Sequence, residues 1–217
     1  MRPREDSSFR LLVEGTDDVH SVIQLMARHG FDWDDQRVTR PYVSNSGGLE
    51  ELLSALPVAL KGRYDRIGVL VDANTHLEAR WAQLRDCANT VGVSLPEMPD
   101  NHGTVVAGLR PRSRVGVWLM PDNRISGRLE DFLGRLVPEH DPVWDYAGKA
   151  VAEARRQGAR CRESAHLKCR LHTWLAWQET PGLPYGTAVK AKLFSHDTQE
   201  ALTFVTWFHR LFVEPAT

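Results

Sequence analysis

The chain has 217 residues, and its 27 Lys and Arg against 28 Asp and Glu give a formal net charge of −1. This balance excludes a generic polyanion-binding protein. No apolar run approaches the roughly 18 residues of a membrane span, and the first residues are too polar for a signal peptide. We therefore expect a cytoplasmic protein with no membrane partner. The three cysteines are too few and too scattered to staple the fold, which is typical of a reducing compartment.

Strand-like and helix-like segments alternate over the first two thirds of the chain, which predicts a mostly parallel sheet with helices on both faces. Apolar runs predict four strands: Phe9–Val13, Val38–Val43, Ile67–Val71 and Val115–Met120. Apolar residues at helical spacing predict helices from Thr16 to before Gly30, and over Leu49–Leu56, Leu77–Ala88 and Leu129–Leu136. Pro41 places the weak second strand at a sheet edge, and Pro57 is expected to end the second helix.

Strand signals stop beyond Pro138, where residues 143–157, 164–178 and 198–212 all have helical spacing. The sequence therefore predicts an α/β domain over residues 8–137. A helical C-terminal subdomain over residues 138–217 is expected to pack on it. We expect one compact body.

Polar side chains follow three of the predicted strands. Glu14 follows the first, Asp72 and Asn74 follow the third, and Asp122 follows the fourth. The carboxyl ends of neighbouring parallel strands meet at one crevice, so these side chains are expected to converge there. Their oxygens suit Mg²⁺ or Mn²⁺. Asp18 lies one helical turn after Glu14 and could share the site.

Four segments together resemble a family of uncharacterised bacterial Toprim-like proteins, related to the Toprim domain of the overcoming-lysogenization-defect nucleases. They are Val13–Asp18 (VEGTDD), Val69–Ala73 (VLVDA), Val115–Asn123 (VGVWLMPDN) and His172–Glu179 (HTWLAWQE). Leu129–Glu130, which opens a later helix, fits the same pattern. The likeness covers roughly Leu11 to Phe212.

This resemblance implies a Toprim-like fold and a Mg²⁺-dependent phosphodiester site. Glu14 would serve as general acid/base or metal ligand, and Asp72 with position 74 would hold metal. The family pattern has an aspartate at position 74, where this chain has Asn74. Asp18 and Glu130 match the positions that help to bind a second metal. Lys168 is the candidate for the basic residue usual beside such a site.

Other residues near these motifs have both functional and structural interpretations. Asp122 and Asp131 are further metal-ligand candidates, although Asp122 could only form a turn and Asp131 could only complement a helix dipole. Gly47 and Gly48 precede a helix and could cradle a phosphate, but the segment lacks the Gly-Lys-Ser/Thr ending of a P-loop. Asp72 could instead cap the following helix.

Several functions compete. The leading one is a Mg-dependent nuclease or related phosphotransfer enzyme, with water as the nucleophile because no tyrosine lies in a nucleophile's context. A catalytically degenerate Toprim-like module that binds nucleic acid, a nucleotide or a protein is the alternative, favoured by Asn74. A phosphoacceptor domain using Asp72 is a third.

Other clusters point less strongly to a ligand. Cys161, His166, Cys169 and His172 lack the spacing of a zinc site. The tryptophans and Phe208 on the late helices are more typical of core residues than of base-stacking ones. Residues 149–170 hold seven basic and two acidic side chains, a local charge of +5, which leaves −6 for the rest. A focused basic surface that binds nucleic acid therefore stays open beside a merely solvated basic helix.

Overall fold

The computed structural model describes residues 5–215 and has an α/β architecture. Its strands are β1 Phe9–Val13, β2 Tyr42–Asn45, β3 Arg66–Asp72, β4 Thr104–Ala107 and β5 Arg114–Met120. Its α-helices are α1 Thr16–Arg28, α2 Leu49–Lys61, α3 Leu77–Asn89, α4 Leu129–Arg135, α5 Pro142–Arg156, α6 His166–Ala176, α7 Tyr185–Lys190 and α8 Gln199–Phe212. A short 3₁₀ helix, Glu163–Ala165, precedes α6.

The sheet has the order β2-β1-β3-β5-β4. β2, β1, β3 and β5 are parallel to one another, and β4 pairs antiparallel with β5. The predicted fold class is thus confirmed, and so is the position of the weak second strand at the sheet edge. In the register, Val13 lies opposite Leu70 and Asp72 lies opposite Met120. The carboxyl ends of β1, β3 and β5 therefore lie side by side at the same end of the sheet.

Alternating strand side chains separate the core into two layers. Val69, Val71 and the matching residues of β5 pack against α2 and α3 on one face. Leu11, Leu70 and Trp118 point to the other face, where they are buried beneath α1, α4, α6, α7 and α8. The helices on both faces agree with the sequence prediction. No helix in the described part of the chain is both long and apolar enough to cross a bilayer.

Some predicted elements were wrong: the second strand is Tyr42–Asn45 and not Val38–Val43, and α7 was not predicted. α2 continues through Pro57 to Lys61. A proline inside a helix leaves the carbonyl four residues earlier without its usual donor. That carbonyl belongs to Leu53, and the Cys87 thiol of α3 donates to it instead, at 3.2 Å. β4, Thr104–Ala107, was not among the four predicted strands.

The last helix, α8, lies directly on the two central strands. Gly68 of β3 and Gly116 of β5 are register partners, and Leu211 of α8 packs over both. A Cβ atom on Gly116 would lie 2.4 Å from Leu211, and one on Gly68 would lie 2.7 Å from Leu11 and 3.0 Å from Phe212 of α8, so glycine at both positions allows the helix to approach. One core cluster therefore includes both sheet and C-terminal residues. The domain boundary at Pro138 stays a prediction.

A disulfide joins Cys161 to Cys169, across the turn between α5 and α6. This corrects the expectation that the cysteines do not staple the chain. It also removes both thiols from the zinc-site interpretation. The bond spans only eight residues, so it fixes a local turn and does not link distant parts of the fold.

Candidate functional site

Glu14 lies at the crevice where the central strands end. It directly follows β1, and its Oε1 atom accepts a hydrogen bond from the backbone N–H of Asp72 at 2.8 Å. Asp72 is the last residue of β3, the strand beside β1 in the sheet. The parallel register of these two strands therefore brings the two predicted acidic residues into contact.

Asp72 also holds the beginning of α4. Its Oδ1 atom accepts a hydrogen bond from the backbone N–H of Leu129 at 3.0 Å. Glu130 is the next residue and is buried in the first turn of α4. One carboxylate oxygen of Asp72 thus fixes the element that carries another predicted metal ligand.

Asp18 joins the site from the first turn of α1. Its Oδ2 atom accepts a hydrogen bond from the backbone N–H of Gly15 at 2.9 Å, and the residue is buried. This bond folds the Asp18 side chain back towards the end of β1. The helical spacing from Glu14 predicted this approach correctly. The neighbouring Asp17 is more exposed.

The acidic side chains at this crevice perturb the ionisation of Asp72 and Asp18. Burial raises the pKa of Asp72 to about 8, and the charges of Asp18, Glu14 and Glu130 add to this effect, whereas the Leu129 N–H opposes it. Burial likewise raises the pKa of Asp18 to about 7 despite the Gly15 hydrogen bond, with further contributions from Glu14 and Glu130. Burial and like charge therefore oppose full ionisation of these carboxyl groups in the absence of a cation. We call Glu14, Asp18, Asp72 and Glu130 the carboxylate cluster.

Two basic side chains border the carboxylate cluster. Lys168 of α6 donates from Nζ to Oε1 of Glu130 at 2.9 Å. This hydrogen bond raises the pKa of Lys168, and the nearby charge of Arg128 opposes the shift. The Arg128 guanidinium, half-buried, has no hydrogen-bond or ion-pair partner within residues 5–215. Arg128 was not among the sequence candidates, because its proximity to Lys168 depends on how α4 and α6 pack.

A His–Tyr pair lies beyond Lys168. His172 is one turn further along α6, and its Nε2 atom is 3.1 Å from the hydroxyl of Tyr185, a buried residue at the start of α7. Burial, followed by the charges of Glu130 and Asp17, raises the Tyr185 pKa. The spacing of Lys168 and His172 on a predicted helix could have indicated this neighbourhood. Nothing in the sequence indicated Tyr185.

Other sequence candidates lie outside the cluster. Both oxygens of Asp122 are used: Oδ2 accepts from Arg135 at 2.7 Å and Oδ1 accepts from the backbone of the following turn. Asp131 accepts from the backbone N–H of Arg128 at 2.7 Å and so caps α4. The side chain of Asn74 makes no hydrogen bond within the described chain, and its backbone has φ 55°.

The proposed phosphate loop lies at the end of β2, next to β1. Asn45 donates from Nδ2 to the Thr16 hydroxyl at 3.0 Å and accepts from the Gly47 N–H at 2.8 Å. Gly48 directly precedes α2. The loop is thereby tied to the β1–α1 turn, but none of its hydrogen bonds involves the carboxylate cluster.

A family model described as a protein of unknown function, DUF3226, matches residues 8–213. The chain belongs to this family. The matched range includes every carboxylate of the cluster together with Lys168 and His172. No similar protein was found among curated proteins or among solved structures. Membership of DUF3226 therefore assigns no activity, and the chemistry has to be argued from the site.

The donor set of this DUF3226 chain fits a hard divalent cation. Each cluster carboxylate uses one oxygen for an N–H or ammonium donor, and its second oxygen has no such partner in residues 5–215. Oxygen ligands of this kind suit Mg²⁺ or Mn²⁺. No group of three or more His, Cys, Asp or Glu side chains in the described chain already has metal-ligating geometry. Ion binding would thus require the second oxygens to converge.

Proposed function

We propose that this protein is a Mg²⁺- or Mn²⁺-dependent nuclease, or a related phosphotransfer enzyme, that acts on nucleic-acid phosphodiesters. The carboxylate cluster carries the proposal: Glu14 accepts from the N–H of Asp72, Asp72 accepts from the N–H beside Glu130, and Asp18 folds back to the end of β1, so that burial and the nearby charges raise the pKa of Asp18 and Asp72. The resemblance of the strand-end motifs to Toprim-like proteins supports the same reaction. Nucleic acids carry the phosphate charge that a bound divalent cation would neutralise.

Each residue has a defined task in this proposal. Glu14 and Asp72 would hold one divalent ion, and Asp18 and Glu130 would provide ligands for that ion or for a second one. A bound ion would supply charge neutralisation at the phosphate and activation of water. Glu14 is also suited to move a proton at the attacking water, because its Oε2 atom has no hydrogen-bond partner in the described chain.

The basic side of the site is suited to the phosphate. The Arg128 guanidinium has no hydrogen-bond or ion-pair partner within residues 5–215, and guanidinium groups bind phosphate oxygens in bidentate fashion. Lys168 neutralises Glu130 and would stand beside the substrate as a second cation. A site with acidic and basic sides of this kind can hold both the metal and the anion that it activates.

The second candidate is a Toprim-like module that binds a nucleic acid, a nucleotide or a protein without cleaving it. Asn74 favours this alternative, because an amide stands where the related motif has an aspartate. Replacing a carboxylate by an amide removes one negative charge and would weaken metal binding. Metal affinity and cleavage therefore have to be measured separately.

Cleavage of single- and double-stranded DNA and RNA with Mg²⁺ or Mn²⁺ tests the proposal. We expect metal-dependent cleavage that Glu14→Gln abolishes and that Glu139→Gln, an exposed glutamate without a described partner, leaves intact. Calorimetry with Mn²⁺ measures binding independently. Inactivity on all four polymers, with Mn²⁺ binding that Glu14→Gln abolishes, would favour the non-catalytic module. Absence of both would overturn the metal site.

A further inference from the structure

Two aromatic side chains on the C-terminal helices lie against each other at the surface. Tyr146 of α5 is 62% exposed and Trp177, at the end of α6, is 45% exposed. Their ring centroids are 5.6 Å apart and the ring planes are inclined by 31°. We call these two residues the aromatic pair. Val143, one turn before Tyr146, is also partly exposed and extends the apolar surface.

The aromatic pair differs from the other aromatic residues on these helices. Trp174, Trp207 and Phe208 are buried in the core, as their helical spacing predicted. Trp177 was also expected in the core because it belongs to the same sequence motif as Trp174, but this prediction was wrong and its side chain is exposed. Among the large apolar side chains exposed within residues 5–215, Tyr146 and Trp177 are the aromatic ones. The two rings are therefore not part of the buried core. Together they form a contiguous exposed aromatic surface, which is typical of a binding site.

The charge around the aromatic pair selects the class of partner. Of the seven cations in residues 149–170, four are paired with acidic side chains. Arg160 and Arg162 lie in the turn at the other end of the α5–α6 hairpin, which leaves Lys149, within this described segment, as the unpaired cation beside the aromatic pair. Lys149 is three residues after Tyr146 and is therefore its neighbour on the helix surface. Lys149, Arg160 and Arg162 have no ion-pair partner in the described chain. Asp145 is already paired with Arg170.

The aromatic pair is also connected to the candidate site. α6 begins near Lys168, which contacts Glu130, and ends at Trp177. Nine residues separate Lys168 and Trp177, which corresponds to about 14 Å along a helix and about half a turn around it, so the two side chains lie on opposite flanks of the exposed face of α6. The exposed surface of α6 between them carries His172 and Ala176. A flexible polymer crossing this surface could contact the aromatic pair and the carboxylate cluster together.

We infer that Tyr146 and Trp177 form a stacking platform for the bases of a single-stranded nucleic acid. Base–aromatic stacking tolerates any sequence, because every base has a flat face. In a duplex the bases are already stacked on one another, so their faces are not free. This inference rests on the proposed function and narrows its substrate to single strands, or to duplexes with a single-stranded end.

Fluorescence anisotropy with a labelled oligothymidylate of about twelve nucleotides tests the platform, in EDTA to prevent cleavage. We expect Tyr146→Ala/Trp177→Ala to raise the Kd about tenfold or more, and Trp177→Phe to retain most of the affinity. Oligothymidylate should quench the fluorescence of Trp177, measured as the difference between wild type and Trp177→Phe. Leu202→Ala is the matched control, since Leu202 is exposed on α8.

An unchanged Kd in the double variant would overturn the platform, as would equal affinity for a duplex of the same length. Failure of the wild type to bind the oligonucleotide at low salt would overturn it too. The assay needs neither metal nor cleavage, so a Trp177-dependent Kd in a protein without nuclease activity would retain the platform and reject the enzyme. Metal-dependent cleavage by the wild type, together with an unchanged Kd in the double variant, would retain the enzyme and reject the platform.

Discussion

Oε1 of Glu14 accepts a hydrogen bond from the backbone N–H of Asp72, so two acidic residues 58 positions apart are in contact where β1 and β3 end. The bond gives Glu14 a structural task beside its proposed chemical one. Substitutions at Glu14 therefore affect both folding and metal binding. The two effects can be separated by choosing the replacement.

Glu14→Gln should keep or slightly raise the unfolding free energy of the metal-free protein, because its amide oxygen can still accept from Asp72 and one of the like charges in the cluster is lost. Glu14→Ala should be less stable than Glu14→Gln by about 1 kcal/mol, since the Asp72 N–H loses its partner. Urea unfolding measures both. Both variants should lose the increase in melting temperature that Mn²⁺ gives the wild type. Equal stability of the two variants would contradict the structural task.

Asp72 predicts how stability depends on pH without metal. Its pKa rises from 3.8 to about 8 on folding, so between these values the folded protein binds more protons than the unfolded chain. The free energy of unfolding should therefore fall as pH rises through this window. Asp72→Asn retains an acceptor for the Leu129 N–H and should flatten the decline. At about pH 9 it should be more stable than wild type by about 2 kcal/mol or more.

Thermal unfolding across this pH range measures the effect of Asp72→Asn. Asp86→Asn, at an exposed aspartate of α3, is the control and should follow the wild-type curve. Saturating Mn²⁺ should abolish the wild-type decline above neutral pH, because it compensates the charges that destabilise the protein. A parallel decline in Asp72→Asn would show that other groups cause it.

Lys168 neutralises Glu130, so its removal should have opposite effects on metal binding and catalysis. Lys168→Gln should strengthen Mn²⁺ binding, because Glu130 is then free of its ammonium partner. Cleavage should nevertheless fall, since a cation beside the phosphate is lost. The stability loss should be below about 1 kcal/mol, as the lysine is half-exposed. Lys168→Arg is the control and should preserve both properties. Weaker Mn²⁺ binding in Lys168→Gln would contradict this assignment.

The disulfide predicts how many thiols can be alkylated. Without reductant, denatured protein should incorporate one alkyl group, at Cys87. With reductant it should incorporate three. Reduction should lower the unfolding free energy by roughly 2 kcal/mol, the value expected for a short closed loop. Cys87→Ser is the control: it keeps a donor for Leu53 and should show the same change on reduction. Three alkylated cysteines without reductant would exclude the bond.

The sequence predicted best those elements whose signals are local. β1 was predicted with its observed bounds, and β3 and β5 each differ by one or two residues, because buried parallel strands are continuous apolar runs. β4 was missed because its pairing with β5 depends on a distant strand. Pro57 was taken as a helix end because proline lacks the backbone N–H. The Cys87 thiol that donates to the Leu53 carbonyl instead comes from another helix and could not be predicted from the local sequence.

The candidate site follows the same division. Glu14, Asp18, Asp72 and Glu130 were predicted from strand ends and helix starts, and the structure brings them together. Asp122 follows a strand as well, but a neighbouring turn and Arg135 use both of its oxygens. Arg128 and Tyr185 were not predicted, because only tertiary packing of α4, α6 and α7 places them nearby. Whether the cluster binds metal stays a prediction.

The position of α8 over Gly68 and Gly116 has a consequence during protein synthesis. The central strands that orient the carboxylate cluster are complete once residue 120 has been made, yet the helix that covers them includes Leu211. The residues from 121 to 211 must therefore also leave the ribosome before α8 can cover this face of the sheet. The nascent protein would expose an apolar sheet surface over Gly68 and Gly116 until α8 emerges.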